Sequence, residues 1–249
     1  MKLILTGATG FIGAAVLHHA LSHPLITQVV ALSRRPLPIH HPKLHTIIHQ
    51  DFTVYPPSLL HNELLRDAEA VIWALGTPLS EGKQHLDFLL AAAEAFATHL
   101  LLPGLRPGGR GFRFVNVSGM FTEKDEERSL WFLREVRKWR GRAERELVEF
   151  EGVLRRRGEV AGGGEGEGRG EGWQTVIARP GVVLRGRSGW AEWLIPGFTI
   201  PVEELAGALV DLALCERVGG GGGGAVGRFV ENEELRRRGR RVVQEGKSG

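Results

Sequence analysis

The sequence predicts a doubly wound α/β fold, in which helices cover both faces of a parallel β-sheet, within a single domain over residues 1–249. Two observations predict it. Short apolar runs rich in β-branched residues alternate along the chain with longer stretches of helical period. These runs are continuously apolar, as expected of strands that are buried on both faces. The chain is long enough to bury one substantial core.

Six apolar runs predict the strands, at 2–6, 28–32, 45–49, 70–75, 112–117 and 174–179. Apolar residues recur every three or four positions over 83–100 and 129–150, which predicts two amphipathic helices. Arg140 falls on the apolar stripe of the second helix. An unpaired buried charge is costly, so Arg140 either meets a partner such as a cofactor ribose or phosphate, or extends along the helix edge into water.

Two glycine-rich segments interrupt the pattern. Residues 158–172 predict a flexible insert and residues 219–224 a flexible loop, because neither offers apolar surface to offset the entropy of ordering. Residues 185–215 predict a substrate-side segment followed by a C-terminal helix. Its Trp190, Trp193 and Phe198 either line an apolar substrate pocket or form a small aromatic core.

Composition narrows the function classes. The net charge is +3, and acidic residues interleave with the basic cluster at 134–145, as on a solvated helix face. No nucleic-acid recognition motif accompanies the basic clusters, so a nucleic-acid partner is not expected. Ten histidines occur without metal-ligand spacing, so no metal site is predicted.

The same reasoning gives an expected location. No apolar stretch is long enough to span a membrane, and cleavage of a signal peptide near residue 20 would destroy the glycine motif described next. The single cysteine, Cys215, excludes an internal disulfide and fits a reducing compartment, where it is expected to be a small core residue. We therefore expect a cytoplasmic protein that does not associate with membranes.

The motif TGATGFIG joins the first predicted strand to the first helix. Gly7 allows a tight turn, Gly10 lets a pyrophosphate approach the backbone, and Gly13 lets the helix pack closely against the sheet. The N–H groups at the start of the helix, near Phe11, would face the phosphates. The motif thus predicts a dinucleotide site, with a purely structural turn as the alternative; the site residues are Thr6, Gly7, Thr9, Gly10, Phe11, Ile12 and Gly13.

The GxxGxxG spacing after a threonine resembles the extended and atypical branches of the short-chain dehydrogenase/reductase family. Matching segments follow in order along nearly the whole chain: ALSRRP, QDF, ALGT, VNVSGM, ARPGVV and IPVEELAGALVDLAL. The resemblance implies a Rossmann-like fold with a nicotinamide dinucleotide. It places Asp51 and Phe52 beside the adenine, the stretch Ala74, Leu75 and Gly76 along the ribose and pyrophosphate, and Pro180, Gly181 and Val182 in the cofactor site.

The end of the second strand indicates which dinucleotide. NAD-binding sites usually carry an acidic residue there, for the ribose 2′-hydroxyl. Here the residues are Ser33, Arg34 and Arg35, so two guanidinium groups are available for a 2′-phosphate. This favours NADP over NAD, with two merely solvated arginines as the alternative.

The resemblance fails at the catalytic residues. The family uses a serine or threonine that holds the substrate carbonyl and a Tyr-x-x-x-Lys pair on the next helix. Ser118 occupies the serine position, and matching RGRAE to the family's KGxxE puts Arg140 at the lysine position and Val136 at the tyrosine position. The single tyrosine, Tyr55, falls on the adenine side. Valine cannot donate a proton, and arginine does not exchange one near neutral pH.

Two functions are therefore expected from the sequence. One is an atypical NADP-dependent oxidoreductase for a small, partly apolar substrate whose carbonyl Ser118 polarises. The other is a non-catalytic dinucleotide-binding protein, acting as a cofactor sensor or scaffold. Fold alone does not decide between them, since function resides in the site. The resemblance also implies a possible homodimer through the 129–150 helix.

Overall fold

A computed structural model describes residues 1–76, 82–101, 111–120, 122, 134–156, 172–186, 193, 195, 197–215, 217–218, 225–226 and 228–245. The predicted insert, apart from Gly172, lies outside the described residues, as do the loop 219–224 and Trp190.

A seven-stranded parallel sheet forms the centre of the molecule. In chain order its strands are β1 (Lys2–Thr6), β2 (Gln28–Ser33), β3 (Leu44–Ile48), β4 (Ala70–Trp73), β5 (Arg113–Val117), β6 (Gln174–Arg179) and β11 (Phe229–Glu231). Across the sheet the order is β11-β6-β5-β4-β1-β2-β3, and every neighbouring pair is parallel. Two small ribbons pair β7 (Val182–Leu184) with β8 (Thr199–Pro201) and β9 (Arg217–Val218) with β10 (Ala225–Val226). The predicted parallel α/β fold is confirmed.

Helices cover both faces of the sheet. They are α1 (Phe11–Ser22), α2 (Pro57–Leu60), α3 (Gly82–Phe96), α4 (Arg134–Arg156), α5 (Val202–Leu214) and α6 (Asn232–Glu245), and α3 continues as a π-helical turn over Ala97–Leu101. Leu3 and Leu5 of β1 pack toward α1 and α5, whereas Ile4 packs toward α3 and α4. Alternate side chains of one strand thus enter two separate cores, which is why the strands are apolar at successive positions.

The predicted strands and helices agree with the structure within a few residues, apart from the end of one helix. The short elements α2 and β7–β10 were not predicted. Helix α4 ends at Arg156, six residues beyond the predicted 150. The pair β11 and α6 was not predicted, because β11 has only three residues and α6 reads NEELRRRGRRVVQE, which is highly charged. Arg238 of α6 bonds Asp211 at 2.6 Å and Glu234 at 2.7 Å, so part of this basic cluster is neutralised within the fold.

Among the described residues, no helix combines the length and the apolar character needed to cross a membrane. The same residues contain no group of three or more His, Cys, Asp or Glu side chains arranged to hold a metal ion.

The crossing of α5 and α6 depends on Gly239, because a Cβ atom there would overlap the backbone of Glu204. We expect Gly239→Ala to lower the free energy of unfolding by about 1–3 kcal/mol, since the helices must move apart. Urea unfolding of the full chain measures this. Gly152→Ala in α4 is the matched control: its methyl group would lie 3.4 Å from the flexible end of Arg156. Equal stability of the two variants would contradict the close crossing.

Candidate cofactor-binding site

The candidate site lies where the order of the strands reverses. β1 has β2 on one side and β4 on the other, and Thr6 at the end of β1 lies beside Trp73 at the end of β4. In doubly wound sheets ligands bind at such a point, in the crevice outside the carboxyl ends of the strands. The glycine motif follows β1 directly, so it lies at the mouth of this crevice.

Two of the three glycines are required by close backbone contacts. Gly7 has φ 71°, in the left-handed region, and a Cβ atom there would overlap the Ala74 carbonyl after β4. A Cβ atom at Gly13 would overlap the Gly7 carbonyl oxygen. That oxygen accepts a hydrogen bond from the Gly10 N–H at 2.8 Å. The close contact of Gly13 is therefore with the turn itself, rather than with the sheet as predicted.

The start of α1 is open and electropositive. Gly10 precedes the helix and offers no side-chain acceptor, and the first turn contains no acidic residue. The first N–H groups of a helix have no partner within the helix and carry the positive end of its dipole. The Thr6 hydroxyl is buried at the end of β1 without a hydrogen-bond partner among the described residues. These features fit the pyrophosphate of a dinucleotide.

Arg34 and Arg35 directly follow β2, and the segment after β3 lies beside them. Ser33 is buried, and its hydroxyl oxygen accepts a hydrogen bond from the Arg35 N–H at 3.3 Å. Gln50 donates to the Arg34 carbonyl at 2.8 Å. Both arginines are exposed. The loop that carries them is thus tied at its backbone, while both guanidinium groups face solvent.

Asp51 and Phe52 occupy the position expected beside the adenine, but only one of them is accessible. Asp51 is exposed, and hydrogen bonds from the Thr53 hydroxyl and N–H lower the pKa of its carboxyl group. The Phe52 ring is 1% exposed and packs against Trp73 and Phe88. The Phe52 ring is thus enclosed in the core between the sheet and helices α3 and α4, so only the backbone of Phe52 is available beside an adenine.

The remaining backbone segments also reach this edge of the sheet. Ala74 and Leu75 are half-buried after β4, and the space that a Cβ atom of Gly76 would occupy is open. Pro180 is buried, and its carbonyl accepts the Met120 N–H at 2.8 Å.

The N–H groups of the next two residues are already in use. The Gly181 N–H donates to Asn232 Oδ1 at 2.8 Å, and the Val182 N–H donates to the Phe198 carbonyl at 2.7 Å. Neither N–H group is free for a cofactor, so this segment can offer it only carbonyl oxygens and side chains.

The Ser118 hydroxyl is hydrogen-bonded to a buried carboxylate. Its hydroxyl donates to Glu144 Oε1 at 2.7 Å. Glu144 is 1% exposed and also accepts hydrogen bonds from Nε and Nη2 of Arg179. The Ser118 hydroxyl donates to a carboxyl group that also accepts two hydrogen bonds from Arg179. In this arrangement the hydroxyl hydrogen of Ser118 is bonded to Glu144, and the lone pairs of its oxygen can accept a further hydrogen bond.

Arg179 at the end of β6 holds this network in place. Burial alone would lower the pKa of Arg179, but the hydrogen bonds to Glu144 and Glu231 raise it. Its guanidinium also lies 4.3 Å from the centroid of the Phe229 ring. Arg179 thus links α4, β6 and β11 through charge and stacking.

Arg140 lies against Gly119, the residue that follows Ser118. A Cβ atom at Gly119 would come within 2.6 Å of Arg140 Nη1, so the guanidinium lies against this glycine. Burial lowers the pKa of Arg140, and the charge of Glu144 opposes that shift. Among the described residues Arg140 makes no hydrogen bond. Burial and the charge of Arg140 lower the pKa of the neighbouring His85 to about 4, so this imidazole is neutral near pH 7.

Of the residues that the structure describes, neither Val136 nor Tyr55 supplies a proton donor at the tyrosine position. Val136 is half-buried on α4, one turn before Arg140. Tyr55 packs between His49 and Phe96 in the second core, and burial raises the pKa of its phenol well above the usual value. An isolated phenol of this kind does not exchange protons near neutral pH.

The aromatic segment before α5 is exposed where it is described. The Trp193 side chain is 82% exposed and that of Phe198 is 45% exposed. Among the described residues, neither side chain belongs to a buried hydrophobic cluster.

The comparisons with known proteins bear on this geometry. No protein-family model and no curated protein sequence matches the chain. Solved structures do match. The oxidoreductase ylbE from Lactococcus lactis has a TM-score of 0.59 at 14% identity, covering 98% of this chain and 97% of its own. The yeast methylglyoxal/isovaleraldehyde reductase Gre2, solved with NADPH, has a TM-score of 0.59 at 13% identity, covering 93% of this chain and 75% of Gre2.

A third structure, MoeE5 in complex with UDP-glucose and NAD, has a TM-score of 0.57 at 18% identity, and the match covers 93% of this chain and 75% of MoeE5. The chain has the Rossmann-like fold of these proteins. The resemblance stated from the sequence is thereby confirmed for the fold.

Sequence reasoning missed Glu144 and Arg179 as site residues. Both lie inside motifs that it used, RGRAE and ARPGVV. Their pairing joins α4 to β6 across 35 residues of sequence, and no local pattern indicates such a contact. An acidic residue on the inward stripe, four residues after Arg140, was the one available signal.

The pair of Glu144 and Arg179 should contribute strongly to stability. We expect Glu144→Gln to lower the free energy of unfolding by about 3 kcal/mol, because it removes the buried charge partner of Arg179 and leaves this largely buried arginine paired with the exposed Glu231. Ser118→Ala removes only one hydrogen bond and should cost about 1 kcal/mol. Urea unfolding of both variants measures the difference. A Glu144→Gln protein as stable as the Ser118→Ala protein would show that the ion pair is not stabilising.

Proposed function

We propose that the chain binds NADP(H) and acts as an atypical short-chain dehydrogenase/reductase-like oxidoreductase on a small, partly apolar substrate, without the family's tyrosine and lysine. One observation carries the proposal: a glycine turn that admits no side chain opens onto an uncapped helix start at the switch point of the sheet. The NADPH and NAD seen with structures of the same fold support a nicotinamide dinucleotide.

Each part of the dinucleotide has a proposed holder. The first-turn N–H groups of α1 bind the pyrophosphate, and Gly10 leaves room for it. Arg34 and Arg35 bind the 2′-phosphate through their forked N–H donors. Arg140, in the lysine position, donates to a ribose hydroxyl. When bound, the nicotinamide supplies or accepts a hydride.

The substrate side follows from the orientation of Ser118. Because its hydrogen is held by Glu144, its lone pairs are available to a hydroxyl or amino group of the substrate. The site thus suits recognition of a hydrogen-bond donor, such as the alcohol form of a substrate. General acid–base catalysis is worth roughly 10²–10⁴-fold, so the lack of a tyrosine predicts slow turnover.

A second candidate is a dinucleotide-binding protein without catalysis, a sensor or scaffold. Two observations favour it: Val136 stands where the proton donor is expected, and the only hydrogen of Ser118 is committed to Glu144. Slow hydride transfer from NADPH to methylglyoxal or isovaleraldehyde, the substrates named for Gre2, would support the oxidoreductase. Tight NADPH binding with no transfer to any carbonyl tested would support the second candidate.

Two further expectations belong to the proposal. We place the protein in the cytoplasm, where NADP(H) and a reduced Cys215 are compatible. We also propose a homodimer through the 129–150 helix, of which residues 134–150 lie in α4. Sedimentation of the purified chain measures the second point.

The cofactor site is tested by calorimetric titration with NADPH. We expect micromolar binding to the natural sequence and loss of binding in Gly10→Glu, because a carboxylate then occupies the position of the phosphates. The backbone of Gly10 suits any residue, since its φ is −82°, but a Cβ atom would lie 3.2 Å from the Gly7 oxygen, so both Gly10 variants require a small shift of the turn. Gly10→Gln introduces a side chain of equal size without charge. Comparing it with Gly10→Glu separates the charge repulsion of the phosphates from the steric effect of the side chain. An unchanged affinity for NADPH in Gly10→Glu would show that the pyrophosphate does not bind at the start of α1.

The preference for NADP is tested at the two arginines. We expect Arg34→Ala combined with Arg35→Ala to weaken NADPH binding at least tenfold and to leave NADH binding nearly unchanged, since only NADPH carries the 2′-phosphate. Arg66→Ala, at another exposed arginine, is the control. Equal losses for both cofactors would mean that Arg34 and Arg35 do not distinguish them.

A further inference from the structure

Arg185 lies over the first residue of α1. Its guanidinium carbon is 5.4 Å from the centroid of the Phe11 ring, and the Phe11 side chain is 43% exposed. Phe11 is the first residue of the helix, so its N–H belongs to the proposed pyrophosphate site. The sequence placed Arg185 only in a general substrate-side segment, more than 170 residues from the glycine motif.

The backbone that leads into Arg185 is anchored. Arg185 directly follows β7, which pairs in register with β8. At the start of β7 the Gly181 N–H donates to Asn232 Oδ1, and the Asn232 amide donates to the Gly197 carbonyl at 2.7 Å. Gly186 then turns the chain with φ 69°. Arg185 therefore extends from an anchored ribbon toward α1.

The charges around Arg185 indicate an anionic ligand. Within the described part of the chain, Arg185 forms no ion pair or hydrogen bond, and the first turn of α1 has no acidic residue. Stacking on an aromatic ring engages the face of a guanidinium and leaves its N–H groups free at the edge. Two positive features, the helix start and Arg185, thus meet without a compensating carboxylate on α1.

We propose that Arg185 binds the pyrophosphate of the dinucleotide from the side opposite the glycine turn, with Phe11 holding its guanidinium in place. A planar fork of N–H donors matches two phosphate oxygens. This assignment rests on the proposed function, because it requires the dinucleotide to bind at α1. It makes Arg185 a cofactor-binding residue, separate from Arg34 and Arg35, which follow β2.

The experiment compares NADPH and NADH binding by calorimetry. We expect Arg185→Ala to raise the dissociation constants of NADPH and NADH by the same factor, because both cofactors carry the pyrophosphate. The factor is about tenfold for one lost charge-assisted contact. Arg185→Lys keeps the charge and should lose less, and Phe11→Leu, which removes the stacking ring, should fall between natural sequence and Arg185→Ala. Arg66→Ala is the control. Arg185 is exposed, and urea unfolding verifies that its variants fold normally.

The outcomes separate the two proposals. If the natural sequence binds neither cofactor, the proposed function fails. If the natural sequence binds the cofactors and Arg185→Ala binds them equally well, the proposed cofactor site is supported but the proposed role of Arg185 is wrong. If Arg185→Ala weakens NADPH alone, Arg185 reads the 2′-phosphate and the pyrophosphate assignment is wrong. Equal weakening of both cofactors supports it.

Discussion

The architecture of the site depends on the close approach of three backbone segments: the turn after β1, the start of α1 and the end of β4. Gly7 lies against the Ala74 carbonyl, and Gly13 lies against the Gly7 carbonyl. Any side chain at either position would separate these segments. Because they meet without one, the start of α1 lies directly over the point where the strand order reverses. The open helix start takes its position from this contact.

A second feature, the ion pair of Glu144 with Arg179, decides what the opposite end of the crevice can do. In the resembling family a serine acts beside a tyrosine that exchanges the proton. Here the serine is present, but its hydroxyl donates a hydrogen bond to the buried carboxylate of Glu144. Arg140 lies against the next residue, Gly119, and its charge together with burial lowers the pKa of His85 to about 4. In the proposed function, cofactor binding and chemistry are thus separable, and the two candidate functions differ only in the chemistry.

The structural likenesses are consistent with this separation. Chains at 13–18% identity share the fold over 93–98% of this sequence, and they include an oxidoreductase, a reductase solved with NADPH and a protein solved with UDP-glucose and NAD. Such similarity reports the arrangement of strands and helices, which sets the crevice. What binds in the crevice depends on side chains such as Ser118, Arg140 and Arg185, which a likeness of fold does not specify.

The sequence by itself determined the parallel sheet, six of its seven strands and the glycine turn, because these depend on local periodicity and on residues adjacent in the chain. It also identified Arg34 and Arg35 as groups that follow β2. Only the tertiary structure decided that the Phe52 ring is buried, that the Gly181 and Val182 N–H groups are committed, and that Ser118 faces Glu144. Each of these depends on a partner from another element, such as Asn232 for Gly181. The hydrogen bonds and packing that fix them form between segments distant in the chain, and no local pattern records which distant residue will be the neighbour.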